Sequence, residues 1–385
     1  MSDYVRYVKQ PVKFLSPRLG SLDIELTERC NNNCIHCCIN LPENDDQAKT
    51  REMSTEQVKT ILTEAVNLGC LTVRFTGGEP LLRPDFADLY IFARSLGLKV
   101  MLFTNARLIT PQLADLLART PPLEKIEISV YGMHPESYEA VSRAPGSFAQ
   151  FRQGVDLLLE RDVPFIVKAA LLPPNRGEME EYEAWAEKIP GMDHEPYYVM
   201  LFDLRRRRDD LVKNQMIESL RLTPEEVLCV LTSDEKKYRQ GIKEFAKKFM
   251  RPAGDKIFHC GIGQVLCVDP YGYAQPCLGV RAPQFSINVI SPNSEAPLAN
   301  ALEYYATLRE MRSKNPEYLM RCAQCFLKGL CGQCPGKSWT ENGTFDTPVE
   351  YFCAVAHAQA RHMGWLKENE KAWTVQGWRK RVFVS

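Results

Sequence analysis

The sequence carries no net charge, because 48 lysines and arginines balance 48 aspartates and glutamates. No global field therefore draws it to nucleic acid or to an anionic membrane. An apolar leader is missing too: Met1 to Gly20 is polar and holds Lys9, Lys13 and Arg18. That excludes a signal peptide or a transmembrane helix there and points to a cytoplasmic protein. Nor is the composition that of a disordered chain. Hydrophobic residues make up 45% and charged residues 25% of 385, enough for two or three domains with a sizeable core.

What the sequence has in quantity is cysteine. Fourteen of them in a reducing compartment argue for metal ligation over disulfides. Three stand in one opening loop, eight lie between Cys260 and Cys353, and Cys38, Cys70 and Cys229 are left over.

The opening loop, Cys30-Asn-Asn-Asn-Cys34-Ile-His-Cys37, sets three thiols among turn-forming asparagines. The spacing is too tight for one helix face and reads as a short loop wrapped on one metal centre. Three ligands leave a coordination position vacant. A cluster iron with such a vacancy can bind a small molecule, whereas a structural zinc closes with four protein ligands. The adjacent Cys38 keeps zinc open as an alternative, either as a fourth ligand or as a small buried side chain.

Around the loop the pattern alternates strand and helix. Leu22 to Thr27 alternates apolar and polar residues as a strand does, and Ser54-Thr-Glu-Gln57 reads as a capping box. The helix it opens has Val58, Ile61, Leu62, Ala65 and Leu68 on its apolar face and stops at Gly69. Further strands are expected at Leu71 to Thr76, Lys99 to Thr104, Lys125 to Val130, Phe165 to Leu171 and Tyr197 to Leu204. Helices are expected at Asp85 to Leu96, after Thr110-Pro111, at Phe148 to Glu160 behind a Ser147 cap, and at Glu178 to Lys188. Six such units imply an α/β fold with parallel pairing, right-handed crossovers and a curved or barrel sheet. In that architecture the chemistry gathers at the C-terminal strand ends.

The cysteine loop follows the first strand, Gly77-Gly78-Glu79-Pro80 the second, Thr104-Asn105 the third, and Ser129 ends the fourth. They converge on one mouth. Gly77 and Gly78 free the backbone for a ligand's ammonium or carboxylate, although any tight strand-to-helix turn can use the same pair.

C-x-x-x-C-x-x-C after a first strand, with Gly-Gly-Glu-Pro after the second, resembles the radical S-adenosylmethionine (radical SAM) superfamily over Leu22 to about Leu204. The resemblance implies a partial (β/α)6 TIM-like barrel. It implies that Cys30, Cys34 and Cys37 hold a [4Fe-4S] cluster whose open iron chelates the cofactor's amino and carboxylate groups. Gly77, Gly78, Glu79 and Pro80 would bind that ammonium and Ser129 would contact the ribose, with Asn105 completing the cofactor-binding set. His36 stands where relatives often have an aromatic residue, and Cys38 where they often have tyrosine. His36 is expected over the adenine by its backbone, or else as a solvent-facing loop histidine. An electron from flavodoxin or ferredoxin would cleave S-adenosyl-L-methionine to a 5'-deoxyadenosyl radical that abstracts hydrogen from an unactivated carbon.

From Arg205 to Lys256 the composition turns charged. Arg205 to Arg208 with Asp209 and Asp210 reads as a solvated helix start or linker, or alternatively as a patch for an acidic substrate. Thr223-Pro-Glu-Glu226 caps one helix and Glu244 to Met250 ends another. Then come Cys260, Cys267 and Cys277, with Gly272 before the last, and Cys322-x-x-Cys325, Cys331-x-x-Cys334 and Cys353. Eight thiolates can saturate two four-iron clusters, and paired C-x-x-C motifs read equally as zinc ribbons.

This pattern is similar to the SPASM domain of radical SAM enzymes. The resemblance implies that Cys260, Cys267, Cys277 and Cys334 hold one auxiliary [4Fe-4S] cluster and Cys322, Cys325, Cys331 and Cys353 the other, three clusters in all. Two residues separate Cys331 from Cys334 where many members have three, which leaves the subgroup open. Full ligation would leave no auxiliary iron for substrate, making these clusters electron conduits and favouring net oxidation. Ala354 to Glu370 is helix-compatible, and the tail with Trp373, Trp378, Lys380 and Arg381 packs on the barrel or docks a partner.

The expected organisation is an N-terminal extension (1–20), the barrel (21–205), a helical bridge (206–255), the SPASM domain (256–354) and a C-terminal helix and tail (355–385). SPASM enzymes commonly modify peptides or proteins, so the resemblance implies a peptide or protein substrate that is oxidised or crosslinked. About 20 residues before the first strand leave no room for a fused leader-recognition domain, so a separate recognition protein or the barrel rim would take that role. One alternative is a maturase for a tetrapyrrole or metal cofactor, and another is a non-catalytic zinc scaffold. Tyr131, His134, Lys168 and Asp203 are candidate acid-base groups at the mouth, each readable also as a cap, packed aromatic or salt bridge, so no catalytic residue is assigned.

Overall fold

The computed structural model describes residues 19–196, 198–291 and 296–383. The expected extension as far as Arg18, and Tyr197 at the head of the expected sixth strand, lie outside the described residues.

Strand β1 (Ser21–Thr27) sits inside the sheet because its alternation gives it two useful faces. Leu22, Ile24 and Leu26 are fully buried in the core beneath the helices. Asp23 and Glu25 turn the other way, into the barrel. Strands β2 (Thr72–Gly77), β3 (Lys99–Thr104), β4 (Leu123–Val130), β5 (Ile166–Ala170) and β6 (Tyr198–Val199) follow in chain order, each parallel to the last. The sixth strand is much shorter than the expected Tyr197 to Leu204. Leu201, Phe202 and Asp203 leave the sheet and line a cavity at its mouth instead.

The helices carry their own stop and start signals. Helix α1 (Thr55–Asn67) opens on the Ser54–Gln57 capping box, with both reciprocal bonds made. Helix α2 (Phe86–Ser95) lies after the second strand, and the Thr110 hydroxyl caps α3 (Pro111–Arg119). A short helix, α4 (Pro135–Ser142), was not expected from the sequence. Ser147 does not cap α5 (Ser147–Leu159). Its hydroxyl is committed to that of Ser142 at 2.7 Å, and Gly146, at φ +75°, takes the cap position. Helix α6 (Met179–Ala186) completes the barrel's outer layer.

On the other side of β1 the sheet runs on into the cysteine-rich region. Strand β7 (Val265–Val268) pairs parallel with β1, and β8 (Tyr273–Gln275) and β9 (Ile287–Asn288) add antiparallel. The nine strands lie in the order β9-β8-β7-β1-β2-β3-β4-β5-β6. Between the two halves, α7 (Leu211–Ser219), α8 (Pro224–Leu231) and α9 (Glu235–Phe249) fill the stretch expected to be helical. No helix among the described residues is long and apolar enough to cross a membrane.

The arginine run is not a solvated linker. Arg205 is buried and binds Asp209 and the Asn40 carbonyl, and Arg206 pairs with Glu25. Arg207 bridges Glu28 and Asp269, while Arg208 donates to the Trp339 and Thr340 carbonyls. Four consecutive cations thus bolt the barrel, the cysteine loop and the C-terminal half together. Buried carboxylates on β1 and after β7 demand partners, and the run supplies them.

Candidate active site

The three-thiol loop is held from three directions. Cys30 ends a two-residue parallel pairing of Arg29–Cys30 with Leu41–Pro42, beside an ion pair of Arg29 with Glu52. The last turn of α4 accepts from the loop backbone: Asn33 N–H donates to the Ser142 carbonyl at 2.8 Å and Ile35 N–H to the Val141 carbonyl at 3.0 Å. The ammonium of Lys213, on α7, donates to the Cys34 carbonyl at 2.6 Å. Arg107 adds a clamp through the Asn31 carbonyl and the Asn32 side chain.

Burial opposes charge on these sulfurs. It pushes the Cys34 thiol up to about 12, with the Cys37 thiolate adding to the shift, and it raises Cys30 well above the ordinary thiol range. With Cys37 beside them, Cys30 and Cys34 form a donor set suited to a cationic iron core, which neutralises what burial penalises.

Cys30, Cys34 and Cys37 line one cavity of about 320 Å³ with Gly77, Gly78, Glu79, Asn105, Ser129 and His36. Pro80 does not line it. It is buried at the first position of the single turn that follows Glu79.

The reason for the two glycines differs from the sequence reading. A Cβ on Gly77 would collide with the Thr27 carbonyl and one on Gly78 with the Arg29 carbonyl, and Gly77 has φ +123°. The turn therefore lies directly on the backbone that carries the cysteine loop. The amides of Gly78 and Glu79 are spent on those same two carbonyls, at 2.7 and 2.9 Å. Only the carbonyl side of this turn remains to receive a ligand's ammonium.

Glu79 is a strut between strand ends. Its carboxylate accepts from the Thr104 hydroxyl and the Asn105 amide, both at 2.8 Å, and from the Leu81 amide at 3.1 Å. Complete burial nevertheless lifts it to about 7. Asn105 likewise turns to the loop, donating to the Asn31 side chain at 2.8 Å.

His36 is half-buried in an aromatic niche, with its Nδ1 shielded from solvent. Its ring lies 5.7 Å from Tyr131 and 5.0 Å from Phe202, centroid to centroid. Burial, reinforced by Lys213, lowers it to about 4, and its Nδ1 has no hydrogen-bond partner. A neutral ring with an orphaned polar atom at a cavity wall fits a stacked heteroaromatic ligand.

Of the four candidate acid-base groups, Tyr131 and Asp203 face the cavity, and Asp203 lies 3.4 Å from Lys337. His134 pairs with Glu181 at 2.9 Å and Lys168 with Glu127 at 3.5 Å, and neither His134 nor Lys168 lines it. Sequence reasoning missed Lys213 and Arg107 because neither stands in a motif, and it misjudged the arginine run because charge density alone does not reveal a buried partner.

In the cysteine-rich region Cys322, Cys325, Cys331 and Cys353 line a second, small cavity with Arg321 and Trp373. Burial raises Cys322 and Cys325 to about 12, with their fellow thiolates contributing. Cys277 has Cys334 and Cys260 as neighbours. Cys267 is fully buried, with its sulfur accepting from Arg281 at 3.3 Å. Among the described residues no three His, Cys, Asp or Glu side chains are gathered at the spacing of a single ion. Of the cysteines outside these sets, Cys38 lines the mouth cavity, Cys70 is buried and Cys229 is exposed.

Residues 24–186 match the Radical SAM superfamily. The AdoMet-dependent heme synthase of Methanosarcina barkeri is 25% identical over 353 residues, spanning 86% of this chain and 94% of that protein. The mycofactocin maturase MftC of Mycolicibacterium smegmatis is 26% identical over 320 residues, spanning 78% of this chain and 74% of that protein. The solved structure of native anSMEcpe with bound AdoMet and the Cp18Cys peptide superposes with a TM-score of 0.58 at 16% identity, covering 90% of this chain and 97% of that one. That likeness establishes the fold.

Proposed function

The chain is a radical SAM enzyme whose partial barrel continues into a cysteine-rich, SPASM-like C-terminal region, and we propose on that premise that it oxidatively modifies a peptide or protein. The observation that carries the chemistry is convergence: three thiols, the Gly77–Gly78 turn, Ser129 and a half-buried, neutral His36 share one cavity. When bound, the iron-sulfur cluster and AdoMet supply a carbon radical able to abstract hydrogen from an unactivated position.

The protein's own contribution is position and shielding. Cys30, Cys34 and Cys37 would hold the cluster, and carbonyls of the Gly77–Gly78 turn would receive the cofactor's ammonium. Ser129 and the His36 niche would take its nucleoside end, while Glu79 and Asn105 keep the strand ends and the loop in register. Phe202 and Tyr131 exclude water from the same wall. The thiols around the second cavity, Cys322, Cys325, Cys331 and Cys353, would hold an auxiliary cluster, and those near Cys277 another. Surplus thiolates of this kind survive in a reducing compartment, which supports a cytoplasmic site with flavodoxin or ferredoxin as electron donor.

A peptide substrate is supported by the likeness to a maturase and by a structure of this fold that holds AdoMet and a peptide together. A second reading has an observation of its own: the heme synthase relative aligns over nearly its whole length, which favours a tetrapyrrole. Mass spectrometry separates the two. Reduced enzyme with AdoMet should remove hydrogen from, or crosslink, a candidate precursor peptide. Unchanged peptides beside an altered tetrapyrrole would favour the second reading.

A further inference from the structure

A chain with no net charge concentrates cations on one helix: from Glu235 to Arg251, along α9 and just past it, seven lysines and arginines stand against two glutamates. The first half of the helix spends its share. Lys237 pairs with Glu195, and Arg239 and His362 both hold Glu235. At the other end Lys247, Lys248 and Arg251 are exposed, and none has a carboxylate partner among the described residues. The next acid along the chain, Asp255, is held by Arg312.

Two aromatic rings share that end. Phe245 and Phe249 stand one turn apart, so they lie on one helix face. Their ring centroids are 4.7 Å apart, yet the residues stay 38% and 49% exposed. Ile242, Ala246 and Met250 already fasten this stretch to Phe326 and Leu327. Two adjacent exposed rings flanked by unpaired cations are an apolar centre with a basic rim.

The patch borders the second set of sulfurs. A Cβ on Gly329 would collide with the Phe249 backbone, and Gly329 closes the single turn Phe326–Gly329 that follows Cys325. The same turn carries Lys328, which lines the cavity of Cys322, Cys325, Cys331 and Cys353. Gly254 N–H donates to the Ala323 carbonyl, between Cys322 and Cys325, at 2.9 Å. Lys328 and Arg251 also stand near one ring, His259, where both charges add to the lowering of its pKa by burial.

We infer that Lys247, Lys248, Arg251 and Lys328, together with Phe245 and Phe249, form the docking surface for an acidic one-electron carrier protein. This deepens the reading of auxiliary clusters and electron donor proposed above and rests on it. Charge complementarity selects the occupant, since unpaired cations around an apolar centre fit carboxylates ringing an exposed cofactor edge, and redox encounters of this kind use small interfaces. The thiols beneath the patch favour a redox partner over a polyanion, which has no use for them. One electron leaves the reduced carrier and reduces the iron-sulfur group that Cys322, Cys325, Cys331 and Cys353 would hold. The carrier is oxidised by that same electron, and no bond or proton moves. From Cys331 the chain leads to Cys334, a neighbour of Cys277, and Leu278 beyond it lines the mouth cavity.

The test uses the anaerobically reconstituted full chain, with flavodoxin as the acidic carrier. Affinity for oxidised flavodoxin is measured by titration calorimetry, and the oxidation of reduced flavodoxin by stopped flow. A variant combining Lys247→Glu, Lys248→Glu and Arg251→Glu should bind more weakly and take electrons more slowly, each by about tenfold or more, while reduction by dithionite is unchanged. A control combining Lys99→Glu, Arg119→Glu and Lys188→Glu, exposed cations on the barrel, has the same net charge and should match wild type. Raising salt from about 0.05 M to about 0.5 M should slow wild type toward the first variant. Equal affinity and rate in that variant and wild type, equal impairment of the control, or no binding of flavodoxin to wild type would overturn the inference. A wild type holding only about four irons would overturn the auxiliary-cluster reading itself.

Discussion

The ammonium of Lys213 donates to the carbonyl of Cys34 at 2.6 Å across 179 residues of sequence. The central thiol of the opening loop is thus held by a helix that begins only after the barrel is complete. Replacing Lys213 by Ala leaves a buried carbonyl unpaired, which should cost roughly 1–3 kcal/mol. Iron should also pass to a chelator faster, at unchanged secondary structure. An unaltered rate of iron loss would show that the contact does not secure the loop.

Glu79 gives stability a pH dependence of definite sign. Its ordinary value is 4.5, and burial lifts it to about 7. Between those values the folded protein keeps a proton that the unfolded chain has released, so this group's contribution falls as pH rises through the window. Glu79→Gln cannot titrate and loses acceptor capacity for the Thr104, Asn105 and Leu81 donors, so it should be less stable by roughly 1–3 kcal/mol at pH 5. Wild type's advantage should shrink toward pH 7.5 in urea unfolding, and an advantage that stays constant or widens would contradict the assignment.

These two residues mark where the sequence was legible. Glu79 sits in a recognisable motif, though its role as a strut required the positions of Thr104 and Asn105. The strand and helix punctuation around it was readable because period-2 alternation and the Ser54 and Thr110 caps are local signals. Lys213 was invisible, since its partner is a backbone carbonyl far away in sequence. The arginine run misled for the same reason: Glu28 and Asp269, which hold Arg207, lie far from it in the chain. Strands β7 to β9 are four, three and two residues long, too short for alternation to register.

Arg281 and Glu25 form a pair that is 1% exposed on both sides. Breaking it with Arg281→Met leaves the buried Glu25 carboxylate only its longer contact with Arg206, at 3.4 Å, and should destabilise by about 3–5 kcal/mol. Replacing both by apolar residues should recover much of that loss in thermal unfolding. A double variant no more stable than Arg281→Met would mean that the pair is not what makes the single change costly.

Gly78 lies against the Arg29 carbonyl with no room for a methyl group. Gly78→Ala should push the turn off the cysteine loop and lower both AdoMet binding and iron retention. Gly69, where an added Cβ meets nothing within 4 Å, is the control: its Ala variant carries only backbone strain from a positive φ and should keep both. Equal behaviour of the two variants in iron content would remove the argument from close packing.

The central claim is that radical chemistry starts at Cys30, Cys34 and Cys37 and does not require Cys38. It is tested most directly by measuring 5'-deoxyadenosine released from AdoMet after dithionite reduction of the reconstituted protein. Cys38→Ala should release it at close to the wild-type rate, and a variant with Ala at positions 30, 34 and 37 should release none. Undiminished 5'-deoxyadenosine from that triple variant, or none from Cys38→Ala, would contradict the claim.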